Sequence, residues 1–382
     1  VFADDWGVHP ASAQHLFRRF LPENRVVWFE TVGLRLPRPT LRDGRKLLRK
    51  LARWTGLAGE AAGEQEAAPE IRNVPLAPLP LGEPARRLNA WELQRSVAAV
   101  AEGHGTDAEP FVVSTLPLTA DLIGAVPGAT FVYYLVDDYG SWPGLGSELV
   151  RRMDGEQMAG ADLVVAASMR LRDLARERAA GRVEYLPHGV DVSHFAQARA
   201  IRAERRRTDE RPLADVVFFG AFDERIDQRL LARVIESRPH LRFLLLGPDD
   251  RLDPALGAAT NVVRHPAVSY ADLPEWLGHC DVAILPYVTG EFGARLSPLK
   301  AREAIASGLP VVGTDVPELR RMGRGISIGR SASELADLLD RTLAGADLPA
   351  LEELDRDSWE ARAGLFSEFL LHARAAAREA VA

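Results

Sequence analysis

The sequence predicts an α/β protein built from two doubly wound parallel-sheet domains. Its 382 residues exceed the roughly 250–300 at which a single hydrophobic core stops growing. In both halves, short apolar runs alternate with segments of helical periodicity, the pattern of parallel strands joined by helices. Hydrophobic residues make up 47% of the chain and charged residues 26%, which is typical of a globular protein with large cores.

The N-terminal half contains several apolar runs of strand length, and Phe2-Ala3 resembles the end of one more strand. The predicted strands are 26–29, 111–114, 130–136 and 163–166. Segment 42–54 repeats apolar residues at helical spacing and carries Arg45, Lys46, Arg49, Lys50 and Arg53, which predicts a basic amphipathic helix. The Ala-, Glu- and Gly-rich tract 56–69 after it predicts a mobile surface connection.

The C-terminal half repeats the alternation. Its predicted strands are 216–219, 241–246, 262–263, 282–285 and 311–312, with helical segments 228–236 and 275–277 between them. The polar tract 199–212 has few candidate core residues, and we interpret it as the interdomain linker. From residue 358 onward, apolar residues recur at helical spacing without a proline, which predicts a long terminal helix.

Charge and cysteine content exclude several classes of protein. The net charge of −7 argues against a partner that presents a phosphate backbone, so no nucleic acid is expected. Cys280 is the single cysteine, so an internal disulfide is impossible, and a buried structural thiol in a reducing compartment is expected. No run reaches the roughly 18–20 apolar residues that span a bilayer, and no signal peptide opens the chain.

The segment 295–312 carries the most chemical information. Ser297 is a favourable N-cap, Pro298 suits the first turn and Gly308 suits the end, which together predict a helix of about three turns. The N-terminus of such a helix can bind a phosphate. Lys300 and Glu303 are neighbours on one face, where they could bind a diphosphate and a ribose diol. The alternative is an ordinary ion pair on a solvated helix face.

The same segment resembles the donor-site helix of family-4-like glycosyltransferases, especially the bacterial branch with Ser-Pro-Leu-Lys. The resemblance rests on residues 298–300 and 303–312, and it extends in family order to segments 2–7, 186–191 and 220–227. It implies an α/β protein of the GT-B fold, with two Rossmann-like doubly wound parallel-sheet domains facing a central cleft. The implied domains are an acceptor domain 1–190, a donor domain 191–355 and a C-terminal helix 356–382 that crosses back to the first domain.

The resemblance also implies roles for individual residues. Glu303 would hold the donor ribose, Lys300 and Arg225 with the amides near Ser297 would hold the diphosphate, and Gly7 would let the first loop approach the donor. The expected donor-binding set is Gly7, Arg225, Ser297, Pro298, Leu299, Lys300 and Glu303. Many members of the family have a second glutamate eight residues before the ribose-binding one, where this sequence has Arg295.

Asp137 and Asp138 are the candidate catalytic residues, because they follow strand 130–136. Asp137 is the positional counterpart of a histidine that the family often places near the reacting sugar. A carboxylate there could accept the proton of an acceptor hydroxyl. Asp-Asp at a strand end is also a common way to start a turn, which is the alternative. Lys300, Arg225 and helix amides can stabilise a leaving diphosphate, so neither a metal nor another cofactor is expected.

These features predict a retaining glycosyltransferase of bacterial polysaccharide or glycoconjugate biosynthesis. Its partners would be a nucleotide-diphosphate sugar and a glycan, lipid-linked or small-molecule hydroxyl acceptor. Two alternatives are a nucleotide-sugar epimerase on the same fold and a non-catalytic nucleotide-sugar binding protein. An NAD-dependent oxidoreductase is disfavoured because no G-x-G-x-x-G follows a strand. We expect a cytoplasmic protein, with a basic surface on helix 42–54 that could meet anionic lipid at the inner face of the membrane.

Overall fold

The computed structural model describes residues 1–7, 11–31, 68–77, 82–102, 109–142, 148–248 and 250–381. Their contacts divide the chain into two units. The first unit comprises Val1–Ala167, Leu171–Leu186 and Ala363–Ala382, and the second comprises Ser168–Arg170 and Pro187–Arg362. The predicted helix 42–54 and nearly all of the connection 56–69 lie outside the described residues.

The sheet of the first unit has seven strands among the described residues, in the order β3-β2-β1-β4-β5-β6-β7, and all of them pair in parallel. The strands are β1 (Phe2–Ala3), β2 (Val27–Thr31), β3 (Glu70–Val74), β4 (Phe111–Ser114), β5 (Thr130–Leu135), β6 (Leu163–Ala166) and β7 (Arg182–Tyr185). The chain moves outward from β1 to β3 and returns to place β4 beside β1. This reversal makes the sheet doubly wound.

The second unit repeats this topology with six parallel strands in the part described, ordered β10-β9-β8-β11-β12-β13. They are β8 (Ala214–Phe219), β9 (Phe243–Leu246), β10 (Val262–His265), β11 (Cys280–Leu285), β12 (Val311–Thr314) and β13 (Ile326–Gly329). The order reverses between β8 and β11. The predicted α/β architecture with two doubly wound parallel sheets is confirmed.

Helices connect the strands of both units. In chain order they are α1 (Ser12–Arg18), α2 (Glu83–Glu102), α3 (Glu148–Gly160), α4 (Met169–Arg176), α5 (Val192–Arg207), α6 (Gln228–Ser237), α7 (Pro254–Ala258), α8 (Leu273–Gly278), α9 (Gly290–Ala294), α10 (Leu299–Ala306), α11 (Pro317–Met322), α12 (Ala332–Ala344) and α13 (Trp359–Val381). The predicted terminal helix is α13, in which Phe366 packs on Phe17 and Tyr134. No helix of the described part is both long and apolar enough to cross a bilayer.

The strands that the sequence analysis missed are β3, β7 and β13, which form edges of the two sheets. Central parallel strands such as β6 and β9 are buried throughout, so they appear in the sequence as continuous apolar runs. An edge strand is covered less completely. Most residues of β3 and β7 are exposed or half-buried, and their mixed sequences carry no apolar signal. Incomplete burial therefore left β3 and β7 without a hydropathy signal.

The interpretation of 199–212 as an interdomain linker is wrong, because most of that tract belongs to helix α5. Asp191 caps the helix by accepting a hydrogen bond from the His194 amide at 3.0 Å. Arg202 and Arg205 are each only 4% exposed, although both are arginines. Their guanidinium groups are buried because they donate to acceptors in segments distant along the chain. The polarity of the local sequence cannot reveal this burial.

Candidate functional site

The candidate site lies in the second unit, at the carboxyl ends of β8, β9 and β11. Doubly wound sheets bind ligands where the strand order reverses, outside the carboxyl ends of the strands. In this sheet the reversal falls between β8 and β11. Gly220 follows β8 directly, and Pro286 and Tyr287 follow β11. The topology therefore selects the loops 220–227 and 286–300 as the place to look for a ligand.

Two glycines allow the backbone and a lysine to approach one another closely at this edge. A Cβ on Gly220, whose φ is 121°, would overlap Cε of Lys300, so the lysine stem crosses directly over this glycine. A Cβ on Gly247, which follows β9, would overlap the carbonyl oxygen of Gly220. Only glycine leaves room for this packing. Neither glycine was assigned a role from the sequence, although Gly220 lies in the segment that carries the family resemblance.

Helix α10 carries the proposed donor-site residues, but it begins later than expected. Ser297 is not the N-cap, because the helix starts at Leu299 with Pro298 as the cap residue. Pro298 has φ −78° and ψ 86°, and the Leu299 amide donates to the Ser297 carbonyl at 3.0 Å. This geometry is an inverse γ-turn, which holds Pro298 outside the helix. The Lys300 backbone amide has no acceptor among the described residues and can serve a ligand.

The predicted end of α10 at Gly308 is confirmed. Gly308 has φ 73°, its amide donates to the Ile305 carbonyl at 2.9 Å, and the Leu309 amide donates to the Ala304 carbonyl at 2.8 Å. These two bonds form a Schellman motif. With its late start, the helix has eight residues, about two turns and not the three expected.

Lys300 and Glu303 do not form the exposed ion pair that was the alternative interpretation. Glu303 is 8% exposed, Lys300 is half-buried, and no nitrogen–oxygen distance of 4.0 Å or less joins them among the ion pairs of the described residues. Burial raises the pKa of Glu303 to about 7, an effect that the charge of Lys300 partly opposes. Burial also lowers the pKa of Lys300, with a further contribution from the positive charge of Arg225.

Arg225 is held beside these residues by Asp223. Its Nε and Nη2 donate to the two carboxylate oxygens of Asp223 at 2.9 and 2.5 Å. Burial opposes ionisation of Asp223, but the hydrogen bonds and positive charge of Arg225, together with the charge of Lys300, outweigh it and keep the pKa of Asp223 below its usual value. The sequence analysis missed Asp223. The pattern that could have indicated its role is an acidic residue two positions before a basic one, in a loop that follows a strand.

Backbone pairing fixes the arginine loop against the exit of β11. The Val288 amide donates to the Arg225 carbonyl and the Asp227 amide donates to the Pro286 carbonyl, both at 2.8 Å. Ile226 and Tyr287 form an antiparallel bridge between these two bonds. The side chain of Asp227 then caps α6 by accepting from the Leu230 amide at 2.9 Å. The loop that carries Arg225 is therefore ordered before any ligand binds.

A cavity of about 380 Å³ opens beside this cluster, at the ends of β9 and β10. Phe222 and Leu252 supply apolar walls, while Gly247, Arg264 and His265 line the side near the strand ends. Gly247, which lines the cavity, packs against Gly220, and Gly220 in turn packs against the stem of Lys300. A planar ring in the cavity could be continuous with an anion at Lys300.

Arg295 occupies the position where the family often has a glutamate. Its Nη2 lies 3.5 Å from Oε2 of Glu291, which is exposed, so the arginine faces a surface carboxylate. An arginine at this position cannot make the contacts that a glutamate would make to the donor sugar, so no role in sugar binding is assigned to it.

The remaining predicted site residues belong to the first unit. Gly7 has φ 76°, and its amide donates to Oε1 of Gln14 at 3.0 Å. Asp138 is 3% exposed and its carboxylate accepts from the Ser141 amide at 3.2 Å, so it stabilises the turn after β5. Asp137 is half-buried and accepts from the Asp138 amide at 3.2 Å. The turn predicted as the alternative is present, and a catalytic role for either residue stays a prediction.

The described residues contain no group of three or more His, Cys, Asp or Glu side chains arranged to hold a metal ion. Cys280 is buried, as expected, and burial raises the pKa of its thiol to about 12.

Comparisons with known proteins agree with the topology. Residues 214–344 match the family model described as Glycosyl transferases group 1. The chain is 27% identical over 169 residues to the Putative teichuronic acid biosynthesis glycosyltransferase TuaH of Bacillus subtilis (strain 168). That alignment covers 42% of this chain and 42% of the relative, so the match spans less than half of either protein.

Solved structures resemble almost the whole chain. Sucrose-phosphate synthase (tll1590) from Thermosynechococcus elongatus superposes with a TM-score of 0.65 at 18% identity, covering 95% of this chain and 93% of that one. Anabaena Alr3699/HepE in complex with UDP and glucose gives 0.58 at 15% identity, covering 100% and 98%. At such identities the likeness shows the fold alone.

The fold is that of the GT-B glycosyltransferases. The family model that matches β8 to α12 adds that the second unit resembles a group 1 glycosyl transferase domain, the segment that contains Arg225, Lys300 and Glu303. The family match and the relative each concern less than half of the chain, whereas the likeness in fold covers almost all of it.

Proposed function

We propose that the chain transfers a glycosyl group from a nucleotide-diphosphate sugar to a hydroxyl acceptor, with retention of anomeric configuration, as a family-4-like GT-B enzyme. One observation carries the proposal. Glu303 is a buried carboxylate with no hydrogen-bond donor among the described residues, and it lies on the same short helix as Lys300 at the switch point of the sheet. Burial raises the pKa of this carboxyl, so a ligand that supplies hydrogen-bond donors would stabilise its ionised form.

The charges at the site fit a diphosphate. Lys300 and Arg225 repel each other, which contributes to the lowered pKa of Lys300. An anion between them would relieve this repulsion and favour the charged lysine. The free amide of Lys300 adds a neutral donor at the beginning of α10. These groups would also stabilise the charge that develops on the leaving diphosphate, so we expect transfer without a divalent metal or other cofactor.

The remaining parts of a nucleotide have places in the same unit. A ribose diol at Glu303 would give the carboxylate two hydrogen bonds, and the nucleobase would occupy the cavity beside Gly247 and His265. Arg225 would contact the phosphate that carries the sugar. Asp137 and Asp138 remain the candidates for the acceptor side, where Asp137 would accept the proton of the attacking hydroxyl.

The known proteins support the class of donor and the setting. UDP and glucose are bound in the Anabaena structure, and the relative from Bacillus subtilis is named for teichuronic acid biosynthesis. We therefore propose a nucleoside-diphosphate hexose as donor, and a glycan, lipid-linked or small-molecule acceptor in a bacterial cell-surface polysaccharide or glycoconjugate pathway. The reaction would take place in the cytoplasm.

Titration with UDP, GDP and ADP, followed by the corresponding glucose donors with candidate acceptors, tests this proposal. A ligand at 100 times its Kd stabilises the folded protein by about 2.7 kcal/mol, which a thermal-shift measurement resolves. Isomerisation of the donor without an acceptor would favour the epimerase. Binding without turnover, with every acceptor class, would favour a non-catalytic nucleotide-sugar protein. The absence of binding to every nucleotide would overturn the proposal.

Membrane association is a separate part of the proposal, and it rests on the sequence of segment 42–54. The five basic side chains of residues 45–53 could each contribute near 1 kcal/mol at an anionic surface. Co-sedimentation with phosphatidylserine vesicles at low salt should exceed that with neutral vesicles. Equal sedimentation with both kinds of vesicle would contradict peripheral binding through this segment.

A further inference from the structure

Helix α5 presents three arginines at intervals of three residues, and two of them reach the end of α10. Nε and Nη2 of Arg199 donate to the carbonyls of Ala306 and Ile305 at 3.0 and 2.8 Å. Nη1 of Arg202 donates to the Ser307 carbonyl at 2.6 Å. Three consecutive carbonyls at the C-terminus of α10 therefore accept hydrogen bonds from α5.

Both arginines also bind neighbouring segments of the second unit. Nη2 of Arg199 donates to the Pro349 carbonyl at 3.1 Å. Nε and Nη2 of Arg202 donate to the carbonyls of Cys280 and Leu277 at 2.9 and 2.5 Å. Arg202 thus joins the beginning of β11 and the end of α8 to the end of α10. Helix C-termini leave carbonyls without intrahelical partners, and cations are favourable there.

Gly308 leaves the space that this arrangement needs. A Cβ on Gly308 would lie 2.8 Å from Cγ of Arg199 and 3.0 Å from Nη1 of Arg202. The glycine therefore serves two purposes, since its positive φ ends the helix and its missing side chain admits both arginines. Burial lowers the pKa of Arg202 to about 10, so the guanidinium still carries its charge at neutral pH.

We propose that Arg199 and Arg202 are positioning residues, which hold α10 in the orientation that presents Lys300 and Glu303 to the donor nucleotide. This inference rests on the proposed function. Helix α10 has only eight residues, too few to be stable alone, so its direction must come from its contacts. Lys300 and Glu303 lie within seven residues of the carbonyls that accept hydrogen bonds from Arg199 and Arg202. A change in the angle of the C-terminal end therefore moves both of them.

The conservative variants Arg199→Lys and Arg202→Lys test the proposal, because lysine keeps the charge but cannot span two or three carbonyls. Arg205→Lys is the matched control. Arg205 lies on the same helix and is equally buried with Arg202, but it pairs with Asp281 and not with α10. Binding of UDP and uridine is measured by calorimetry at a temperature where every variant is fully folded. Hydrogen exchange of the α10 amides is measured without ligand.

Arg199→Lys and Arg202→Lys are called the clamp variants below. We expect both to bind UDP and uridine roughly 3- to 30-fold more weakly than the wild-type protein, since Lys300 and Glu303 move together. The α10 amides should exchange faster in both clamp variants. The control should lose stability and keep the wild-type affinities. A purely structural role for the clamp would lower the melting temperature of all three variants and leave the affinities of the folded proteins unchanged, which would overturn the inference.

The outcome for the wild-type protein separates the two proposals. Wild-type binding of UDP with unchanged affinity in both clamp variants would overturn the positioning role alone. If the wild-type protein bound neither UDP nor uridine, nor any other nucleotide, the proposed function would fail, and the positioning role with it. If Arg202→Lys did not fold, Arg199→Lys would decide the question, because Arg199 is only half-buried and its replacement leaves the bonds of Arg202 in place.

Discussion

The ionisation of Glu303 should control binding of the nucleoside. Burial raises its pKa to about 7, so the carboxyl is mostly protonated at pH 6 and mostly ionised at pH 8. A carboxylate accepts the two hydroxyls of a ribose through charge-assisted bonds, each worth about 1.5–3 kcal/mol, whereas a protonated acid forms weaker neutral bonds. We therefore expect the affinity for uridine to rise as the pH rises from 6 to 8.

The size of the effect follows from the pKa. The ionised fraction of a group with a pKa of about 7 increases roughly tenfold between pH 6 and pH 8, so the affinity should increase by up to about tenfold. Glu303→Gln keeps the shape and removes the titration. This variant should bind uridine roughly tenfold more weakly at pH 8 and show no dependence on pH.

Calorimetry with uridine at pH 6, 7 and 8 provides the measurement. Uridine is the suitable probe because it has no phosphate, whose own titration would otherwise mix with that of the protein. Equal affinities of the wild-type protein at all three values would refute the reasoning. The same rise with pH in Glu303→Gln would also refute it, because the titrating group would then lie elsewhere.

Four further results are expected. Lys300→Ala should weaken binding of UDP at least tenfold but barely affect binding of uridine, since the proposed partner of Lys300 is a phosphate; equal losses of affinity for both ligands in calorimetry would contradict this assignment. Asp137→Asn should lower turnover by roughly 10²–10⁴ while UDP affinity is retained, and wild-type turnover would remove Asp137 from the mechanism. Gly220→Ala should cost roughly 1–3 kcal/mol of stability in urea unfolding and weaken UDP, because a methyl group there displaces the Lys300 stem. Burial raises the pKa of Asp154 to about 7, so the native state binds an extra proton between pH 4 and 7 and the free energy of unfolding should fall as pH rises through that range; Asp154→Asn should make the fall smaller.

The sequence by itself determined the architecture. Strands that are buried on both faces, such as 111–114 and 163–166, were predicted with their observed ends, because a fully buried strand needs an uninterrupted apolar run. Gly308 marked the end of α10 correctly, since a left-handed residue after a helix strongly favours glycine. That Lys300 and Glu303 lie on one helix face followed from their spacing, which depends only on the geometry of one helix, whereas their proposed roles came from the family resemblance.

Only the tertiary structure decided how those residues are arranged for chemistry. The start of α10 depends on a γ-turn at Pro298, and the place of Lys300 depends on the surface that Gly220 leaves open. Whether Glu303 would be a solvated partner of Lys300 or a buried acid is set by the packing around it. Segment 199–207 is polar in sequence and buried in part, because its arginines find carbonyl acceptors some 75 to 107 residues away along the chain. Hydrogen bonds and burial of this kind join distant segments, so no local pattern of the sequence can specify them.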